Sequence, residues 1–362
     1  VARRIPDRME IVGMSAHRNI DKIIEAAREF KPLLVCVGSE ADVEKVRAGV
    51  DKTTRVVAGP EGLLELATLP EADMVLAAIV GTAGLKPALA AIEAGKDLAV
   101  ASKEILVTAG EIIMATAARK GVQVLPVDSE HNAIFQCLNG REASGIRRLI
   151  LTCSGGPFRE LPADQLATVT PAMALKHPTW SMGRKISIDS ASLFNKGLEM
   201  LEAHCLFGVP IEKVDVVVHP QSIVHSLVEF VDGSLLAQLS HTDMCFPIQY
   251  AVTWPDRLPS QQPALDLAQM ARLDFEAPRE KDFPALSLAR EAGTRGGTLP
   301  GVLNAANEIA VEAFLENHIP FLQIWKIVEA TMQKTAFTAS PTLEEILQAD
   351  AEARKIAAEM AG

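Results

Sequence analysis

The sequence predicts an α/β chain: a doubly wound, mostly parallel sheet first, then a central α+β segment, then a helical C-terminal segment. Three observations carry this. From Met9 to Pro126 short apolar runs alternate with longer amphipathic ones, the rhythm of right-handed crossovers. After Asp128 that alternation stops, and strand-like runs cluster between Arg148 and Leu239. From Ala285 to Gly362 the pattern is helical with no strand-like run.

In order, the strand-like runs are Met9–Met14, Leu33–Val37, Arg55–Ala58, Met74–Ala78, Leu98–Ala101 and Val122–Val127. Helical stretches lie between them at Ile20–Phe30, Glu40–Ala48, Leu85–Ala94 and Ile105–Lys120. No G-x-G-x-x-G precedes Met9, so the reading expects a sheet without its opening strand and Gly-rich turn, in a chain that starts inside a domain. Gly81-Thr-Ala-Gly84 reads as a tight turn before an anion cradle. Arg148–Thr152 is a strand running into Ser154-Gly-Gly-Pro157, and Ser187–Phe207 reads as one long helix. Val214–Val218, Ile223–Phe230 and Leu235–Leu239 are strands, with Asp232-Gly233 as a hairpin signal between the last two. The expected segments are therefore 1–127 for a cofactor, 128–253 for catalysis, 254–284 as a linker and 285–362 as a helical domain.

At 362 residues, 48% hydrophobic and 22% charged, the chain can build more than one core, and wholesale disorder is excluded. A net charge of −11 with one Tyr and three Trp excludes a general nucleic-acid binder, which needs counter-charge and stacking platforms. Five dispersed cysteines without a C-x-x-C argue against a disulfide framework and point to a reducing compartment. The longest apolar run, Met74 to Leu85, is too short to span a bilayer, so no membrane role is expected.

Several short stretches carry chemistry. Asp128 and Glu130 follow a strand two residues apart, which on extended backbone aims both carboxylates one way. Oxygen donors suit Mg²⁺ or Mn²⁺; the plainer reading is a cap on the helix that begins near His131. Asn195-Lys-Gly-Leu-Glu199 places Asn195 and Glu199 on one helix face, where Glu199 can add a third carboxylate and Lys196 and Asn195 can hold phosphate, unless that face is solvated. Gly197 marks a close approach, by a ligand or by another helix. Ser154-Gly155-Gly156 can offer amides to an anion, and Ser187, Ser190 and Ser192 sit where a helix is expected to begin. His177-Pro-Thr-Trp180-Ser-Met-Gly183-Arg184 reads equally as a lid or as a loop anchored by its Trp. Lys103 lies at a crevice edge, and Arg18 follows a strand where an adenosine 2′-phosphate is read in dinucleotide folds.

Together these strings resemble the 1-deoxy-D-xylulose 5-phosphate reductoisomerase family. The matches are Leu125-Pro-Val-Asp-Ser-Glu-His-Asn132, Ser154-Gly-Gly-Pro-Phe-Arg159, His177-Pro-Thr-Trp-Ser-Met-Gly-Arg-Lys-Ile-Ser187, Asp189-Ser-Ala191, Asn195-Lys-Gly-Leu-Glu199 and His219-Pro-Gln-Ser-Ile-Val-His225. Gly297-Thr-Leu-Pro-Gly-Val-Leu-Asn-Ala-Ala-Asn-Glu308 continues the match, which covers almost all of Met9 to Gly362. The resemblance implies a Rossmann-like NADPH domain, a catalytic domain, a C-terminal helical bundle and a homodimer. It implies an oxidoreductase that rearranges and reduces the sugar phosphate with NADPH and Mg²⁺ or Mn²⁺, in the cytoplasm of a bacterium, with a plastid origin left open. Asp128, Glu130 and Glu199 would bind the metal. Ser154, His177, Ser190, Asn195 and Lys196 would hold the phosphate end, with Ser129 and Lys103 near the substrate oxygens and Trp180 as the lid. Arg18, Asn19, Ser102, Glu104 and Gly183 fall at cofactor-side positions. The chain departs from the family in lacking the G-x-T-G-x-x-G turn, and in Ser102, Thr179 and Cys245, which stand for a usual Asn, a frequent Asn and a usual Arg. The competing expectation is a chain that binds phosphosugar and metal without turnover.

Overall fold

A computed structural model describes every residue except Glu142, Pro178, Thr179, Ser181 and Gln261. The Thr179 departure therefore lies outside the described residues. The chain divides into two units. Unit 1 comprises residues 1–102, 113–127 and 247–259; unit 2 comprises 103–112, 128–246 and 260–362.

Unit 1 holds six strands: β1 (Gly13–Ala16), β2 (Leu34–Val37), β3 (Arg55–Ala58), β4 (Met74–Ala77), β5 (Asp97–Val100) and β6 (Val124–Pro126). Every pairing is parallel, as the alternation predicts. The expected single sheet is instead two three-stranded sheets, β1-β2-β3 and β4-β5-β6, since β3 does not pair with β4. Apolar residues at helical spacing in Ile20–Phe30 (Ile20, Ile23, Ile24, Ala27) close over β2, whose four residues are all buried. Gly81-Thr-Ala-Gly84 forms the tight turn before the helix Leu85–Glu93.

Unit 2 is built on a four-stranded sheet ordered β10-β9-β7-β8, with β7 at Ile146–Cys153, β8 at Val214–Val218, β9 at Val224–Phe230 and β10 at Leu235–Leu239. The β9–β10 hairpin turns at Gly233, whose φ of 86° suits a residue without Cβ. After Ala285 come the helices Ala285–Arg295, Leu299–Leu315, Gln323–Lys334 and Leu343–Ala361, and they share one core with the helix Phe194–Phe207 and strand β7. The Pro-rich stretch before them is pinned by a bridge from Glu276 to Val218.

The expected long helix over Ser187–Phe207 is two helices, Arg184–Ser192 and Phe194–Phe207. Leu193 separates them with φ 63°. Its left-handed backbone is held by a buried side chain and by Trp325, whose indole N–H donates to the Ser192 carbonyl at 3.2 Å. The serines consequently lie within or at the end of the first helix; its N-cap is Gly183.

Candidate active site

Asp128 is the N-cap of the helix Ser129–Leu138, its Oδ1 accepting from the Ser129 amide at 2.9 Å. The extended geometry expected for Asp128-Ser129-Glu130 is thus replaced by a helix start. The capping reading and the ligand reading hold together, since Oδ2 remains available and accepts from Lys103 Nζ at 2.6 Å. Glu130 lies in the first turn, where its Oε2 accepts from the Ser129 hydroxyl at 2.6 Å and its Oε1 from Lys196 Nζ at 2.7 Å.

Glu199 reaches the same place from the helix Phe194–Phe207. Its Oε1 accepts from Asn195 at 2.5 Å and from Lys103 at 3.1 Å, and its Oε2 accepts from Lys196. Glu199 is 1% exposed and Lys196 2%, so the solvated-face reading of this helix falls. The close approach that Gly197 marks is helix packing: a Cβ there would meet the Ala285 carbonyl at 3.0 Å and Ala289 Cβ at 3.1 Å.

Oxygens of Asp128, Glu130 and Glu199 lie within 4.8 Å of one another. Three carboxylates against two ammonium groups leave a local negative excess, and an all-oxygen donor set fits a hard divalent cation. Burial opposes the Asp128 charge, but Lys103 outweighs it and holds this carboxyl well below the usual range. Burial, with Glu130 as a neighbouring like charge, pushes Glu199 up to about 7. Lys103 and Lys196 stay protonated, because their carboxylate partners overcome the burial that would lower them.

A second group forms beyond β7. The His177 ring Nε2 lies 3.1 Å from Ser154 Oγ and 3.0 Å from Ser190 Oγ. The Trp180 amide donates to His177 Nδ1 at 3.0 Å, so the ring carries its hydrogen on Nε2. Gly155 and Gly156 both have positive φ, and a Cβ on Gly156 would meet the Ser190 carbonyl at 2.7 Å. The loop therefore lies directly on the helix backbone. Ser154, His177 and Ser190 come together as expected, whereas Asn195 and Lys196 bond within the carboxylate cluster.

The residues expected on the cofactor side are divided between the units. In unit 1, Arg18 is exposed after β1, Asn19 accepts from the Lys22 amide to cap a helix, and Ser102 donates to the Ile79 carbonyl at 2.6 Å. In unit 2, Glu104 is buried, 3.8 Å from Lys185, and Gly183 is a helix N-cap. Cys245 donates its amide to Asp243 at 2.8 Å.

Family models match most of this chain: 1-deoxy-D-xylulose 5-phosphate reductoisomerase over residues 1–110, its C-terminal domain over 124–207, and the DXP reductoisomerase C-terminal domain over 239–356. The reductoisomerase of Bacillus cereus (strain Q1) is 52% identical over 360 residues, 99% of this chain and 94% of that protein. The chain belongs to the 1-deoxy-D-xylulose 5-phosphate reductoisomerase family. A family member from Synechococcus sp. (strain JA-2-3B'a(2-13)) is 50% identical over 359 residues, 98% of this chain and 92% of its own. The solved reductoisomerase of Zymomonas mobilis, in complex with NADPH, superimposes with a TM-score of 0.93 at 44% identity, covering 99% of this chain and 94% of that one. A DOX-P reductoisomerase in complex with NADPH, fosmidomycin and magnesium gives 0.92 at 41% identity, covering 100% and 94%. The α/β architecture read from the sequence is the reductoisomerase fold.

Sequence reasoning passed over two residues beside the carboxylate cluster, His131 and Glu202, both fully buried. Their only signal was spacing: His131 is three residues after Asp128, and Glu202 three after Glu199, a helical turn in each case.

Proposed function

We propose that this chain converts 1-deoxy-D-xylulose 5-phosphate into 2-C-methyl-D-erythritol 4-phosphate, with NADPH and a divalent cation, Mg²⁺ or Mn²⁺. The observation that carries this is the convergence of Asp128, Glu130 and Glu199 from distant stretches of chain, their oxygens within 4.8 Å.

Asp128, Glu130 and Glu199 would hold the cation, and Arg18, exposed after β1, is suited to the cofactor's 2′-phosphate. When bound, the cation supplies Lewis acidity at substrate oxygens and NADPH supplies the hydride. Lys103 keeps its proton, and a substrate oxygen would take the place of one of its three present acceptors, Asp128, Asn195 or Glu199; Ser129, held by Glu130, presents its hydroxyl beside it. His177 Nε2–H, with the hydroxyls of Ser154 and Ser190, grips the phosphate, and this binding remote from the bond changes orients the reacting end. Trp180, tied by its amide to His177, closes over the substrate and excludes water.

Segments 1–127, 128–253 and 285–362 serve as cofactor, catalytic and helical parts, with 254–284 linking them. A homodimer is supported by β10, an edge strand exposing Leu235 and Leu236. A reducing, cytoplasmic location is supported by five dispersed cysteines without a C-x-x-C.

NADPH consumption followed by absorbance tests the reading. It should require both the sugar phosphate and the cation, and Glu199→Gln should lower kcat by on the order of 10²–10³ in a folded protein. Unchanged turnover in that variant removes the metal assignment. Binding of sugar phosphate and cation without NADPH consumption would return the binding-only reading.

A further inference from the structure

His131 and Glu202 are both 0% exposed. The His131 Nε2 lies 2.8 Å from the main-chain oxygen of Glu199. A carbonyl only accepts, so Nε2 bears the hydrogen, and Nδ1 is left to the group it faces. That nitrogen faces Glu202 Oε2 at 3.3 Å and Asp128 Oδ2 at 4.0 Å. Neither Nδ1 nor either Glu202 oxygen has a hydrogen-bond partner among the described residues. Out of water these two atoms need one hydrogen between them, and a hydrogen bond joining Glu202 Oε2 to Nδ1 supplies it.

We infer that Glu202 is a positioning residue for cation binding: hydrogen-bonded to His131 Nδ1, it fixes the ring whose Nε2–H holds the Glu199 main-chain carbonyl, and so aims the Glu199 carboxylate. The inference rests on Glu199 being a metal ligand, as proposed above. An apolar side chain at 202 would fill the space but leave Nδ1 unanswered. A second cation among Asp128, His131 and Glu202 would also answer it, as their ligand atoms lie within 4.8 Å. Lys103 Nζ, 2.6 Å from Asp128 Oδ2, already places a positive charge there.

Mn²⁺ binding to the full chain without substrate, read from the electron paramagnetic resonance of the free ion, tests this. Glu202→Gln keeps an N–H donor toward Nδ1 and should bind Mn²⁺ within about threefold of the parent, whereas Glu202→Met should bind about ten- to a hundredfold more weakly. NADPH affinity should be the same in both. Nitrogen-15 spectra of the parent should show His131 as the Nε2–H tautomer with a hydrogen-bonded Nδ1. The inference is overturned if Met binds Mn²⁺ like the parent, or if Gln weakens binding as much as Met does. An Nδ1–H tautomer overturns it too, as do two Mn²⁺ per chain with one lost in Glu202→Gln. If Glu202→Met does not fold, the Gln affinity and the parent's tautomer decide. Glu199→Gln is the control: if it binds Mn²⁺ like the parent, the metal assignment itself fails, and the positioning role falls with it.

Discussion

Lys103 spends all three of its N–H bonds on Asp128, Asn195 and Glu199, at 2.6, 3.0 and 3.1 Å. Removing it leaves buried carboxylates uncompensated, which costs on the order of 3–5 kcal/mol. Lys103→Met should therefore melt well below the parent in chelator, and Mg²⁺ should restore part of the loss, because a cation offsets the same charge. Equal melting temperatures with and without Mg²⁺ would contradict a cation among these residues. At the phosphate end, Ser190→Ala removes one hydroxyl facing His177. The expected outcome in steady-state kinetics is a KM about tenfold higher with kcat little changed, the pattern of a lost binding contact. The converging carboxylates were legible because Asp128, Glu130 and Glu199 sit in distinctive strings. Glu202 was not legible: from sequence, a second glutamate on a helix reads as a solvated face, and only packing shows it to be sealed beside a histidine.

At the scale of elements, most strands and helices of the alternating region followed from hydrophobic period, since each buries one face or both, but the helix Gly59–Ala67 was passed over and the first strand lies at Gly13–Ala16, not Met9–Met14. The break at Leu193 did not, because neither Pro nor Gly marks it. What imposes it is tertiary: Leu193 is buried, and Trp325 occupies the Ser192 carbonyl. Nor did Asp128 read as a cap that also pairs with Lys103, because the two contacts use different oxygens of one side chain. The helix Phe194–Phe207 is held at its place by the approach of Ala285 to Gly197. Gly197→Val should destabilise the protein by about 1–3 kcal/mol in denaturant unfolding, because added methyls must displace backbone. An unchanged midpoint would show that the two helices separate easily.

For the whole molecule, the buried thiols set a pH limit. Burial pushes Cys36 and Cys153 up to about 11 and Cys205 up to about 12, from an ordinary value near 9.0. Folding thus holds protons that the unfolded chain releases. This contribution is complete below pH 9 and is lost as pH rises toward 11, by up to about 1.4 kcal/mol per thiol per pH unit. Unfolding titrations at pH 8 and pH 10.5 should show the decline; substituting Cys36 by Ala should flatten its share of it. The α/β fold class was readable from rhythm, but the pairing of strands into sheets was not, since hydrophobic period says which residues are buried and not which strands are neighbours. That pairing matters for solution behaviour. In unit 2 it leaves β10 outermost with Leu235 and Leu236 exposed, so concentrated solutions of Leu235→Lys should scatter less light than those of the parent.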